Sequence, residues 1–136
     1  MPWSKVFTFD DPLPYQSTIY TADVELIPTT RGQFFGELTQ VRLQKVWMQR
    51  YFMSLPQIHI VANRSGRTIF TFLTEDRSPA LQHRGMDLSL GEVAVSTVGV
   101  VHQRSAADLQ HGTMSLADDE LRLSYKAIRR PEDRTD

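Results

Sequence analysis

Extended alternation with a period of two, cut at short intervals by turn-forming residues, constrains this chain more than any other feature. The longest such stretch runs from Gln33 to Met53. Phe34, Gly36 and Leu38 fall on one face of an extended chain, and Phe35, Glu37 and Thr39 on the other. Val46, Met48 and Phe52 then alternate against Lys45, Trp47, Gln49 and Tyr51. The change of phase near residues 41–44 predicts a turn or bulge. Shorter stretches follow the same rule. Residues 7–9 predict an edge strand and 21–28 a strand with Val24 and Leu26 on one face. Ile58, Ile60 and Ala62 alternate with His59 and Val61, and Asn63 to Gly66 predict a hairpin turn. Residues 68–74 are apolar on both faces, the mark of a central strand. Gly85 and Gly91 punctuate strands expected at 86–90 and 93–97, with another at 98–104.

Helical signals are confined to the two ends. Asp10 or Asp11 can cap a short helix with Pro12 in its first turn, and Pro14 keeps that helix short. After His111 the texture changes. Ser115 followed by Asp118 resembles a helix start, and Leu121, Tyr125 and Ile128 recur at helical spacing until Pro131. Many strands followed by one helix predict a mainly β fold, a jelly-roll barrel or sandwich, with 1–116 as barrel, 117–130 as helix and 131–136 as polar tail.

Composition narrows the chemistry. The 136 residues suffice for one domain. Lys and Arg number 15 against 16 Asp and Glu, so no global field draws this segment to nucleic acid or an anionic membrane. Without cysteine there is no disulfide, thiolate zinc site, iron–sulfur cluster or cysteine nucleophile. The first residues do not read as a signal peptide, and no stretch approaches about 18 apolar residues, so the expected location is cytoplasmic.

The most informative spacing lies between Gly91 and Ala106. Gly91, Gly99 and His102 match three positions of a motif G-x5-P-x-G-x2-H-x3-N, with Thr97 in place of Pro and Ala106 in place of Asn. This stretch resembles the second motif of the cupin superfamily, which implies a double-stranded β-helix barrel. The first cupin motif, His-x-His followed by Glu, has as its nearest equivalent Gln57-Ile58-His59, with Asn63 near the acidic position. His59 and His102 are expected to face each other inside the barrel. Two imidazoles fall short of the three protein ligands typical of catalytic zinc or non-haem iron. Glu37 or Glu92 is available to complete a set, but no spacing requires it. The alternative is a pair of hydrogen-bonded interior histidines or ligand contacts; no metal or cofactor is expected.

A broader resemblance spans residues 7–125. Its residues are Phe9-Asp10-Asp11-Pro12 before Tyr15, Gly32-Gln33-Phe34 leading to Leu38-Thr39 and Leu43, and Leu55-Pro56. Then come Phe70-Thr71-Phe72, Leu90-Gly91-Glu92, His102-Gln103-Arg104-Ser105 and Met114-Ser115-Leu116. Together these resemble the N-terminal, cupin-like sensor half of bacterial AraC-type transcription regulators. The resemblance implies a small-molecule effector and a homodimer. The 136 residues end just after the first clear helix, so the helix-turn-helix units that contact DNA in that family have no counterpart in them.

The candidate ligand-binding residues are Trp47, Gln49, Tyr51, His59, His102 and Arg104. Trp47, Gln49 and Tyr51 share a strand face that lines either a pocket or a half-exposed interface. Arg104 is suited to a carboxylate or to a surface ion pair. Leu121, Tyr125 and Ile128 are candidates for dimerisation or for packing on the barrel. No nucleophile elbow, P-loop or dinucleotide fingerprint occurs. The expected function is effector sensing without catalysis. The alternative is a stand-alone cupin-type isomerase or metal-dependent oxygenase.

Overall fold

The alternating stretches become strands, each with one face turned to a common interior. The computed structural model describes residues 3–75, 81–97 and 99–122. Its elements are β1 (Trp3–Phe9), α1 (Pro12–Thr18), β2 (Ala22–Pro28), β3 (Gly36–Arg42), β4 (Val46–Met53), β5 (Gln57–Asn63) and β6 (Arg67–Leu73). They continue with β7 (Leu81–His83), β8 (Met86–Leu88), β9 (Ala94–Ser96), β10 (Val100–Ser105) and β11 (Leu109–Ala117). One antiparallel sheet has the order β1-β3-β4-β11-β6-β9, the other β2-β5-β10-β7-β8. The fold is mainly β, two antiparallel sheets in the expected jelly-roll class of architecture. Among the described residues no helix is long and apolar enough to cross a membrane.

Local chemistry sets the boundaries. The Asp11 carboxylate accepts from Leu13 N at 2.9 Å and caps α1, with Pro12 in the first turn where a missing N–H costs nothing. The change of phase at 41–44 is a tight turn, closed by Leu43 N donating to Val46 O at 3.0 Å. Arg84 and Gly85, both at positive φ, link β7 to β8.

Two expectations need correction. The turn at Asn63–Gly66 does not make a hairpin, because β5 and β6 belong to different sheets. It carries the chain across the interior, held by Asn63 Nδ2, which donates to the carbonyls of Arg67 and Ser96 at 2.8 and 3.3 Å and to that of Thr97. Ser115 starts no helix. It is fully buried in β11, which extends to Ala117 because it pairs on both sides, with β4 and β6. A helix opens only at 118, where Thr68 Oγ1 donates to the Asp118 carboxylate at 2.8 Å. Leu121 is half-buried there. Tyr125 and Ile128 lie outside the described residues.

The interior is graded along the strands. At one end Tyr15, Ile19, Leu26, Phe34, Leu38, Tyr51 and Met53 form an apolar cluster. Tyr15 plugs it from α1, donates to Glu37 O at 3.1 Å and leaves no room for a side chain at Gly36. A Cβ there would stand 2.5 Å from the Tyr15 ring. A second cluster joins Leu73, Leu81, Leu88 and Leu109. Beside these clusters runs a belt of buried polar side chains.

Candidate functional site

Strand register assembles the belt. On the first sheet Gln40 pairs with Gln49, Gln49 with Thr113, and Thr113 with Thr71. The neighbouring inward row is Leu38, Tyr51, His111 and Leu73. On the second sheet His59 lies opposite Gln103, with Leu26 on its other side. Antiparallel partners project to the same side, so these rows face each other across the barrel.

Hydrogen bonds connect the belt into two groups. Gln40 Nε2 donates to Thr18 O at 2.7 Å and to Gln49 Oε1 at 3.0 Å. Gln49 Nε2 donates to Thr21 Oγ1 at 2.8 Å and to the Tyr51 hydroxyl at 3.0 Å, and that hydroxyl is hydrogen-bonded to Thr113 Oγ1 at 3.1 Å. In the second group Gln103 Nε2 donates to His83 Nδ1 at 2.8 Å. His83 Nε2 therefore carries the proton and faces Ser96 Oγ at 3.3 Å. His59 Nε2 bonds Ser105 Oγ at 2.9 Å. The His111 ring stacks on Tyr51 at 4.7 Å between centroids and lies 5.8 Å from the His59 ring, and its buried Nδ1 has no hydrogen-bond partner.

Between the groups lies a cavity of about 40 Å³, lined by residues of both sheets and the start of β2. Its polar lining comes from Thr21, Tyr51, His59, Asn63, Thr71, Ser96, Gln103, His111 and Thr113, and its apolar lining from Val24, Leu26, Val61, Ile69 and Val101 among others. Among the described residues no Asp, Glu, Lys or Arg lines it. Burial keeps the lining uncharged. It lowers His59 to about 4, and lowers His111 to about 3 with help from His59. It also raises the Tyr51 hydroxyl to about 12.

The candidate residues from the sequence separate into three places. Tyr51 and His59 line the cavity, and Gln49 stands behind them, holding Tyr51 and Thr21. Trp47 shares their strand face but packs elsewhere. Its ring lies beneath the Arg67 guanidinium at 3.6 Å and the Arg42 guanidinium at 4.7 Å, beside Tyr20. His102 and Arg104 are exposed on the outside of β10, opposite Ile60 and Ile58. The expected meeting of His59 with His102 is thus corrected. Gln103 and Ser105 point inward, one residue out of phase with the motif. The imidazole that accompanies His59 is His111, from β11, a stretch where the spacing predicts no strand and a helix start soon after. The alternation of Leu109, His111, Thr113 and Ser115 was the available signal for it.

These donors do not suit a catalytic metal. His59 Nε2 is engaged by Ser105, His111 is the only further imidazole in the described lining, the other polar groups there are amides and hydroxyls, and Glu37 and Glu92 stand elsewhere. Glu37 is on the outer face of β3, and Glu92 accepts from Ser89 N in an exposed turn. Among the described residues no three His, Cys, Asp or Glu are grouped to hold a metal ion.

No family model matches the chain, and no curated protein matches it. Among solved structures it is similar to a predicted oxalate decarboxylase from Thermotoga maritima, at 16% identity and a TM-score of 0.47, over 75% of this chain and 96% of that one. It is also similar to an RmlC-like cupin from Shewanella frigidimarina, at 10% identity and a TM-score of 0.40, over 72% of this chain and 88% of that one.

Proposed function

We propose that this barrel is a small-molecule-binding module, the effector-sensing and dimerisation part of an AraC-type transcription regulator. One observation carries the binding part: a cavity between the two sheets in which polar groups converge among aliphatic walls, the usual composition of a ligand site. The absence of a three-ligand donor set among the described residues favours binding over metal-dependent chemistry. The regulator part rests on the sequence resemblance and agrees with the balanced charge.

In this mechanism the effector binds one packing of the barrel better than another and shifts the population toward it. β11 passes the change on, because it carries His111 and Thr113 on the cavity and leads directly into the helix at 118. Thermal-shift screening of the chain against a broad metabolite library tests the reading, followed by sedimentation of the protein with each hit. The expected result is a stabilising hit, weakened by Tyr51→Phe or His59→Gln, that changes the monomer–dimer balance. A library without any stabilising member would overturn the binding role. A hit that leaves the association state unchanged would overturn the sensing role.

A further inference from the structure

We propose that the cavity selects a short, uncharged organic molecule bearing a hydroxyl, carbonyl or amide group, which the His111 imidazole binds while Val24, Leu26, Val61, Ile69 and Val101 hold its carbon chain. This rests on the binding role above and names its ligand class.

Three observations converge on it. First, among the described residues no charged side chain lines the cavity, so neither a carboxylate nor an ammonium would find a counter-ion there. Burying an unpaired ion is far costlier than burying a neutral polar group. Second, His111 Nδ1 is fully buried and unpartnered although the rest of its ring is held against Tyr51. An imidazole nitrogen either donates or accepts according to tautomer, so it serves a carbonyl or a hydroxyl equally. The Nε2 of its neighbour His59 is engaged by Ser105, whereas His111 Nδ1 has no partner. Third, the cavity volume of about 40 Å³ corresponds to roughly three water molecules, which limits the ligand to a few heavy atoms. Burial disfavours protonation of both imidazoles at neutral pH, so the site does not become cationic to receive an anion.

An isosteric set tests the class: propan-1-ol, propionamide, propionate and propylammonium, each titrated at millimolar concentration into the intact chain at pH 7. Binding is read from the imidazole resonances of His59 and His111 and from the melting temperature. The alcohol and the amide are expected to shift both histidines and raise the melting temperature, and the two ions to do neither. His111→Phe, which keeps a ring against Tyr51, should weaken the amide about 2- to 10-fold, and His102→Ala on the outer face should not. If the ions bind the same histidines as well as the neutral probes do, the ligand class is wrong while the binding role stands. If no probe of any charge perturbs the cavity, both fail. Neutral binding that His111→Phe leaves unchanged removes His111 from the recognition. The wild-type comparison does not depend on the variant folding.

Discussion

The two ends of the barrel interior are filled by opposite means. Around Tyr15 the space is closed by hydrocarbon and aromatic rings: Phe9 and Phe34 pack on Tyr15, with centroids at 5.3 and 5.9 Å, and Gly36 lets the ring lie against the backbone. In the belt, amides, hydroxyls and imidazoles occupy the same layer of the fold. Apolar packing is non-directional and leaves no void. A polar belt must meet each partner at a set distance, and where it does not, an atom such as His111 Nδ1 is left unpaired. The apolar end accounts for stability, and the belt is where a ligand would find unused hydrogen-bonding capacity.

The largest expected effect belongs to the apolar end. Tyr15→Ala removes a fully buried ring and the Glu37 hydrogen bond, and should cost about 3–5 kcal/mol in denaturant unfolding. Propan-1-ol or propionamide should not recover that loss, since the ring does not line the cavity. A cost near zero would mean that α1 does not close the barrel.

Acid should act on the belt instead. Burial lowers both His59 and His111, to about 4 and about 3, below their ordinary 6.5. The folded protein therefore binds fewer protons than the unfolded chain between these limits. Stability from this source is full above about pH 6.5 and falls as the pH drops, by about 2 kcal/mol per imidazole near pH 5. Unfolding free energies measured across this range should decline, and the decline should flatten in a His59→Gln, His111→Phe double variant. An acid slope equal in both proteins would place its origin outside these two imidazoles.

The contrast also explains how much was legible in advance. Strand positions, the α1 cap and the turn at 41–44 follow from period-two alternation and from cap and turn chemistry, which are local. That Trp47, Gln49 and Tyr51 share a face of β4 follows from the alternation, but not that this face turns inward, which the pairing with β3 and β11 shows. The continuation of β11 was not legible, because its Ser and Thr residues also suit a helix start, and only pairing with β4 and β6 makes it a strand. The same holds for Asn63 to Gly66. A turn signal gives the bend, but not whether the next strand pairs with the previous one or crosses to the other sheet. His111 entered the site through register, a relation between segments distant in sequence.

The smallest expected effect tests the phase of β10, on which that outcome depends. The motif spacing put His102 and Arg104 inside the barrel, whereas pairing with β5 sets Gln103 opposite His59 and turns His102 and Arg104 to solvent. A slip of one residue would exchange the two sets completely, since side chains alternate with a period of two. Substituting either outward residue should therefore change stability by no more than about 0.5 kcal/mol, as at other surface positions. Gln103→Leu instead removes the donor to His83 and should cost about 1–3 kcal/mol, because His83 Nδ1 is then buried without a partner. Comparing His102→Ala with Gln103→Leu under one denaturant titration separates the alternatives. A costly His102→Ala beside a harmless Gln103→Leu would reverse the face of β10 and return His102 to the cavity with His59.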